Sequence, residues 1–421
     1  MKNQIENDFD KVIKKLKLTK KNIDLRKKNL DKFINLGFPN RREEDWKFSD
    51  LENIISSNIK NLKYFNKELF NTKKKSLNIK DVLSYKLFEH NKIAITNGVI
   101  DKIDFEYEDL KKIDIINTAE NYSSNTKQSL TYLNSAFNTS YLKLVVKENY
   151  LLNKPLIIHN FTDEKINSTN INQRLDVILE KNSSLNLVNF FNDYSSKNFI
   201  NINHEFRIEK DSILKNYIID SKENSNIKYF NNKIDLNQNS LVENFILSTG
   251  SKFIKNEITC NLKEKYSSAF ISGIINLNNS QHHEIKTKIN HLAENTKSYQ
   301  LIKSILNDNS KGIYQGKVFV DSKAQKTNGY QLSKALLLNE NAEFDAKPEL
   351  EIYADDVKCS HGSTSGCLDE NSIFYLMSRG IKRNAAEKLL INGFILDAIE
   401  KITDLEIKKL IKEIMGIIEW I

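Results

Sequence analysis

Cys359 and His361 stand two residues apart in the stretch DDVKCSHG, 355–362, and Cys367 follows eight positions after the first cysteine. The chain has 421 residues but only three cysteines and seven histidines, so this is its densest group of metal-binding and nucleophilic side chains. If the stretch is a strand, Val357, Cys359 and His361 project to one side while Lys358 and Ser360 face away. A thiolate and an imidazole on one face make half of a site for iron or zinc. A closed site needs about four ligands, and Cys367 supplies a third only if Gly362 and Gly366 turn the chain back. A Cys–His nucleophile is the second possibility, but same-face neighbours on a flat strand lie roughly 6.6 Å apart, poor geometry for an imidazole that must touch the sulfur. On spacing alone the best reading is a third: Cys359 as a small buried hydrophobe and His361 as a hydrogen-bonded core residue.

The remaining candidates read as packing. His204 shares a strand face with Ile202 and Phe206, and His283 and His291 share one with Ile285 and Ile289, so all three point where the apolar residues point. His283 and His291 are eight residues apart, roughly 26 Å on a straight strand, and cannot share an ion. Cys260 alternates with Ile258 and Leu262 and belongs to the core. With 12 glycines in the whole chain there is neither a Walker A loop nor a dinucleotide fingerprint, so any nucleotide chemistry comes from a partner.

The elements that carry these residues follow from hydrophobic period. Ile5, Phe9, Val12, Ile13 and Leu16 repeat at helical spacing, as do Leu30, Phe33 and Ile34 before Gly37. From about residue 140 the period becomes two, as in Leu142, Leu144 and Val146, and no helix is expected between 140 and 362. Ser184, Ser212, Ser240 and Ser268 stand 28 residues apart, each before an apolar residue, and further strands begin midway near Phe199, Ile227 and Phe253. A two-strand unit of 28 residues cannot cover its own apolar face, so units stack, and a β-solenoid is favoured over an antiparallel sandwich. Helical spacing then returns. Asp369 caps a helix carrying Ile373, Leu376 and Met377 that Gly380 ends; Asn384 and Glu387 read as a capping box for the next; Ile407, Leu410, Ile411, Ile414 and Ile418 stripe a third, serving as domain core or as a dock. The expected division is 1–95 helical, 96–366 solenoid and 367–421 helical.

Hydrophobic residues at 39% and charged residues at 28% are those of a folded domain, and three cysteines, an odd number, fit a reducing compartment, the cytoplasm by default. No secretory leader and no apolar run long enough for a membrane span is expected. The net charge of +8 is spread through every segment without interleaved aromatics, so the lysines read as solvated surface and no nucleic-acid partner is expected.

The run from Gly316 to Ile381 resembles the C-terminal core of the SufD family of the SUF iron–sulfur cluster assembly system. The resemblance rests on AQKT at 324–327, YQ at 330–331, KPELEI at 347–352, ADDVKCSHG at 354–362 and FYLMSRGI at 374–381, with PNRREEDWKFSDL at 39–51 near the other end. It implies a right-handed parallel β-helix between helical N- and C-terminal domains, in agreement with the periodicity. It further implies a subunit that is not itself a catalyst, paired with the paralogue SufB and with the ATPase SufC. In the family the two β-helices join near their C-terminal ends, so Cys359 and His361 are expected to be half of a site completed by SufB. His361 would bind or deliver iron or a nascent cluster, with Cys359 supporting it. Phe374, Tyr375, Leu376, Arg379 and Gly380 are similar to the region that docks the ATPase, although Arg379 could instead cap its helix beside Gly380. No cofactor bound stably by the chain alone is implied, only iron or a cluster in transit, with a reduced flavin conceivable in the complex and a homodimer conceivable when the chain is alone. Ser363, Ser365 and Cys367 depart from the usual pattern, which makes Cys367 the weakest ligand candidate. The rival readings are a SufB-like paralogue, against which CSHG counts, a stand-alone metal- or thiol-dependent enzyme on a solenoid, and a homo-oligomeric interaction module.

Overall fold

A computed structural model describes residues 2–70, 87–120, 128–193 and 197–417. Its body is a parallel β-helix of about eight turns built from two facing sheets. One sheet stacks β5 (Leu156–Phe161), β7 (Ser184–Phe191), β9 (Ile213–Asp220), β11 (Leu241–Ser248), β13 (Ser268–Leu277), β15 (Lys297–Leu306), β17 (Thr327–Leu337) and β19 (Val357–Gly366). The other stacks β4 (Tyr141–Val146), β6 (Asn170–Leu179), β8 (Phe199–Ile208), β10 (Ile227–Leu236), β12 (Phe253–Leu262), β14 (His282–His291), β16 (Lys311–Val320) and β18 (Glu343–Ile352). Among the described residues no helix interrupts the chain between β4 and β19, as the period of two requires.

Alternation sends every second side chain into the lumen, where residues in register form columns. One column runs Phe206, Ile234, Cys260, Ile289, Val318, and all five are buried. Burial pushes the Cys260 thiol pKa up, so this cysteine is packing, as expected. The predicted second strands at Phe199, Ile227 and Phe253 stack directly upon one another.

The serine register is corrected by one position. Ser184 pairs with Ile213, Ile213 with Leu241 and Leu241 with Ser268, so successive turns are 29, 28 and 27 residues long. The stacked, buried column is Ser183, Ser212, Ser240 and Ser267, continued by Thr296 and Thr327. Each follows a residue in the left-handed region, namely Asn182, Asp211, Asn239, Tyr266, Asn295 and Lys326. Their hydroxyls hold the tight corners: Ser240 Oγ donates to Asn237 O at 2.7 Å, Ser267 Oγ to Glu264 O at 2.7 Å and Thr327 Oγ1 to Ala324 O at 2.8 Å.

The two ends of the solenoid differ. At the first turn, β1 (Asn91–Thr96) joins β5 and pairs beyond it with antiparallel β2 (Val99–Asp104), while β3 (Ile113–Thr118) lies antiparallel to β4, so both sheets end there in short antiparallel strands. At the last turn β18 and β19 are the outermost strands of their sheets, each ten residues long and paired on one side only.

Helices α1 (Lys2–Lys15) and α2 (Lys20–Leu36) pack with α3 (Leu51–Asn58) and α4 (Ser129–Phe137) in a core that includes Phe199, Ile227, Tyr229 and Phe253 of the solenoid. Within PNRREEDWKFSDL, Trp46 lies 5.6 Å from the Tyr229 ring and the Lys255 ammonium sits 4.5 Å above the indole. Arg26, wholly buried, binds Ala136 O at 3.0 Å and Asn138 O at 2.9 Å, placing a cation at the C-terminus of α4.

After β19 come α5 (Glu370–Ser378), α6 (Arg383–Ile399) and α7 (Leu405–Ile414). Asp369 caps α5 as expected, and Gly380 takes φ +86° beyond its end. The expected capping box is absent: α6 starts at Arg383 after Lys382, so Asn384 is already helical, and Glu387 is held by Arg383 at 2.8 Å. Ile395, Ala398, Ile399, Ile407, Leu410 and Ile411 cover the outer face of the first sheet against Val188, Phe190, Tyr217, Phe245 and Leu301. The stripe on α7 is therefore core; Ile418 lies outside the described residues. Among the described residues no helix is long and apolar enough to cross a membrane.

Candidate functional site

The stretch DDVKCSHG enters β19, the last strand of the solenoid. In register, Gly329 of β17 faces Cys359, Gln331 faces His361 and Ser333 faces Ser363. Gly329, Gln331 and Ser333 are buried toward the lumen, so Cys359, His361 and Ser363 line its mouth, and Ser333 Oγ donates to Ser363 Oγ at 2.9 Å. The structure thus puts Cys359 and His361 on one face, as the period implied. They differ in surroundings. Cys359 is half-buried against the cluster of Val318, Val320, Ala324 and Ala354, whereas His361 is exposed. The buried-core expectation therefore fails for His361, because no further turn covers it.

Burial raises the Cys359 thiol pKa, opposed by a backbone hydrogen bond involving Gly329, so the sulfur is held as a thiol at neutral pH and is no ready nucleophile. Cys367 is remote. Gly362 and Gly366 do not turn the chain; β19 stays extended through Gly366, which sets the two cysteines roughly 26 Å apart. Among the described residues no three His, Cys, Asp or Glu side chains gather closely enough to hold a metal ion. Cys359 and His361 are two ligand-type groups at an open rim, without a third.

Beneath the rim the lumen turns polar. Tyr314 Oη donates to Gln300 Oε1 at 3.1 Å and meets Thr287 Oγ1 at 3.2 Å. His291, fully buried, bonds Thr296 Oγ1 at 2.7 Å and Ser298 Oγ at 2.9 Å, and burial lowers its pKa to about 4, so it is neutral. His204 and His283 are buried as their strand positions implied. Gln331 was missed by sequence reasoning; the signal was the polar run Thr327, Gly329, Gln331, Ser333 on lumen positions of an otherwise apolar repeat. Also missed were Lys228 and Lys255, read as surface but wholly buried. Burial opposes the Lys228 charge, but Asp193 and Asp220 raise its pKa, and Lys255 pairs with Glu284 at 2.5 Å.

The other candidate region is α5. Phe374 is 73% exposed and Tyr375 58%, and Met377 is exposed as well, whereas Ile373, one helical turn before Met377, is buried. Leu376 is half-buried between these faces. The Arg379 guanidinium lies 5.3 Å from the Tyr375 ring centroid and donates to Tyr375 Oη at 3.3 Å, so its side chain braces the aromatic surface; only its backbone N–H caps the helix, on Leu376 O.

Comparison with known proteins agrees with this architecture. Residues 161–394, more than half of the chain, match the family model described as SUF system FeS cluster assembly, SufBD core domain. The iron-sulfur cluster assembly protein SufD of Escherichia coli K12 is 49% identical over 73 residues, 17% of this chain and 17% of that protein. SufD of Bacillus subtilis 168 is 39% identical over 83 residues, 20% and 18% of the two chains, and the chloroplastic protein ABCI7 of Arabidopsis thaliana is 44% identical over 72 residues, 17% and 15%. The aligned stretches thus span less than a fifth of each relative's length. With its stacked solenoid, its helical flanks and this family match, the chain belongs to the SufBD core family of the SUF iron–sulfur cluster assembly system.

Proposed function

We propose that the chain is a non-catalytic scaffold subunit that pairs through its last turn with a SufB-type paralogue and carries a SufC-type ATPase on its C-terminal helices, in a reducing compartment such as the cytoplasm. The observation that carries this is the difference between the two ends of the solenoid. At the first turn the sheets end in short antiparallel edges, the six-residue β2 and β3, whereas at the last turn they end in two parallel ten-residue edges, with Cys359 and His361 on one of them. An open edge of this length is a template for strand addition. Two ligand-type groups without a third also fit a site finished by another chain.

In this reading iron or a nascent cluster is cargo at the seam. His361, exposed at the mouth, supplies the imidazole, and Cys359 supplies a thiol that becomes a ligand once a metal draws off its proton. The cargo is bound in transit only, and any reduced flavin belongs to the assembled complex. Phe374, Tyr375, Leu376 and the braced Arg379 form the surface offered to the ATPase, with Gly380 ending the helix beneath it. Reconstitution with both partner types tests the reading. His361→Ala is expected to leave the complex intact while cluster assembly falls by an order of magnitude or more; unchanged assembly would refute the role.

A further inference from the structure

The segment that leads into the first turn brings two imidazoles together. Leu87 and Phe88 pack on the outer face of the first sheet with Ile157, Val188 and Phe190. His90 follows, half-buried, immediately before β1. His159 lies on β5, in register with Ala94 of β1 on one side and Phe190 of β7 on the other, and is wholly buried with its ring parallel to that of Phe161. The two rings meet nitrogen to nitrogen: His159 Nε2 lies 3.3 Å from His90 Nε2.

The remaining nitrogens decide what this contact can be. His90 Nδ1 lies 2.7 Å from Phe88 O, and because a carbonyl oxygen only accepts, the neutral ring keeps its proton on Nδ1 and turns the bare Nε2 lone pair toward His159. His159 Nδ1 is buried without a hydrogen-bond partner, an orphan left over in either tautomer, so the burial of this ring has to be offset at Nε2. One N–H spanning 3.3 Å to His90 is at the long end for a hydrogen bond and offsets it poorly. Two Zn–N bonds of about 2.0–2.1 Å at the tetrahedral angle, by contrast, hold their nitrogens about 3.3–3.4 Å apart. The Phe88 carbonyl is also the kind of oxygen acceptor that a ligating histidine commonly finds for its second ring nitrogen. Lys92, whose charge reaches both rings, is offset by Asp104 at 3.4 Å. We propose that His90 and His159 form a site for a divalent cation of the zinc class, each giving its Nε2. No third His, Cys, Asp or Glu joins them among the described residues, so water completes the tetrahedron on the half-exposed side of His90. The bound ion pins the segment 87–90 to the first turn, at the end of the solenoid away from Cys359 and His361.

The test is calorimetric titration of Zn²⁺ into the full chain, carrying no histidine tag and with Cys359→Ala and His361→Ala removing the rim pair. One equivalent is expected to bind in the micromolar range, and Co²⁺ in its place should give the visible bands of a tetrahedral ion. His90→Ala, made at the half-exposed partner, should weaken Zn²⁺ binding at least tenfold and abolish those bands while leaving the metal-free Tm within a few degrees. His90→Cys, which restores a zinc ligand, should recover binding where the alanine variant does not. A chain that binds no Zn²⁺, that binds it as tightly after His90→Ala, or that holds Co²⁺ as a six-coordinate ion would overturn the proposal and leave the pair as a hydrogen bond alone. With the rim pair absent throughout, that failure would not touch the reading of His361.

Discussion

Cys359 and His361 sit where a period of two places them, because same-face arithmetic needs only the assumption of a strand. Their environments were not readable, since burial depends on whether another turn follows. Gln331 and Gly316 were silent for a related reason: each matters through a residue on another strand. Two of the lumen glycines make a controlled comparison. A Cβ at Gly329 would lie 3.4 Å from Cys359 Sγ and 3.5 Å from His291 Nε2, ordinary contact distances, whereas one at Gly316 collides with Gln331 and Tyr314. Gly316→Ala is therefore expected to lose about 1–3 kcal/mol in denaturant melts, and Gly329→Ala to change stability by less than about 1 kcal/mol. Equal losses would mean that the space around Gly316 is not tightly packed.

Among the elements, the strands and the opening and closing helices were legible from apolar spacing. The serine column was offset because both Ser183–Ser184 and Ser267–Ser268 are doublets, and a constant interval chooses the wrong member of each when turns are 29, 28 and 27 residues long. The Asn384 box was a local signal overridden by tertiary pairing, since Arg383 takes Glu387 and also reaches Glu370 at 2.6 Å. The C-terminal helices have one face packed on the solenoid and, on α5, an exposed one that is the proposed ATPase dock. Truncation after residue 368 would strip α6 and α7 from the solenoid and expose Val188, Phe190 and Phe245, so it confuses docking with unfolding. Phe374→Glu combined with Tyr375→Glu alters only the exposed face of α5. At least tenfold weaker ATPase binding is expected by titration calorimetry, with an unchanged Tm; undiminished binding would move the dock elsewhere.

For the whole molecule, the buried histidines of the solenoid strands make its stability acid-sensitive. Burial lowers the pKa of His204 and His291 to about 4 and that of His159 and His283 to about 3, below the ordinary 6.5. Below pH 6.5 the unfolded chain binds protons that the folded chain refuses. Stability is therefore full above that pH and falls as pH drops toward 4, by about 1.4 kcal/mol per pH unit for each such histidine. Thermal melts between pH 8 and 5 should show Tm flat above pH 7 and falling steeply below 6.5; a Tm that holds to pH 5 would mean that these rings are hydrated. Lys228 and Lys255 show the limit of composition as a guide, since a lysine count cannot reveal which ammonium groups find carboxylates inside. The central claim concerns the open last turn, and hydrogen exchange of residues 357–366, alone and with a SufB-type partner, tests it most directly. Rapid exchange of outward-facing β19 amides in the free chain and at least tenfold protection in the complex is the predicted result. Amides of β19 that exchange equally fast with and without the partner would contradict it.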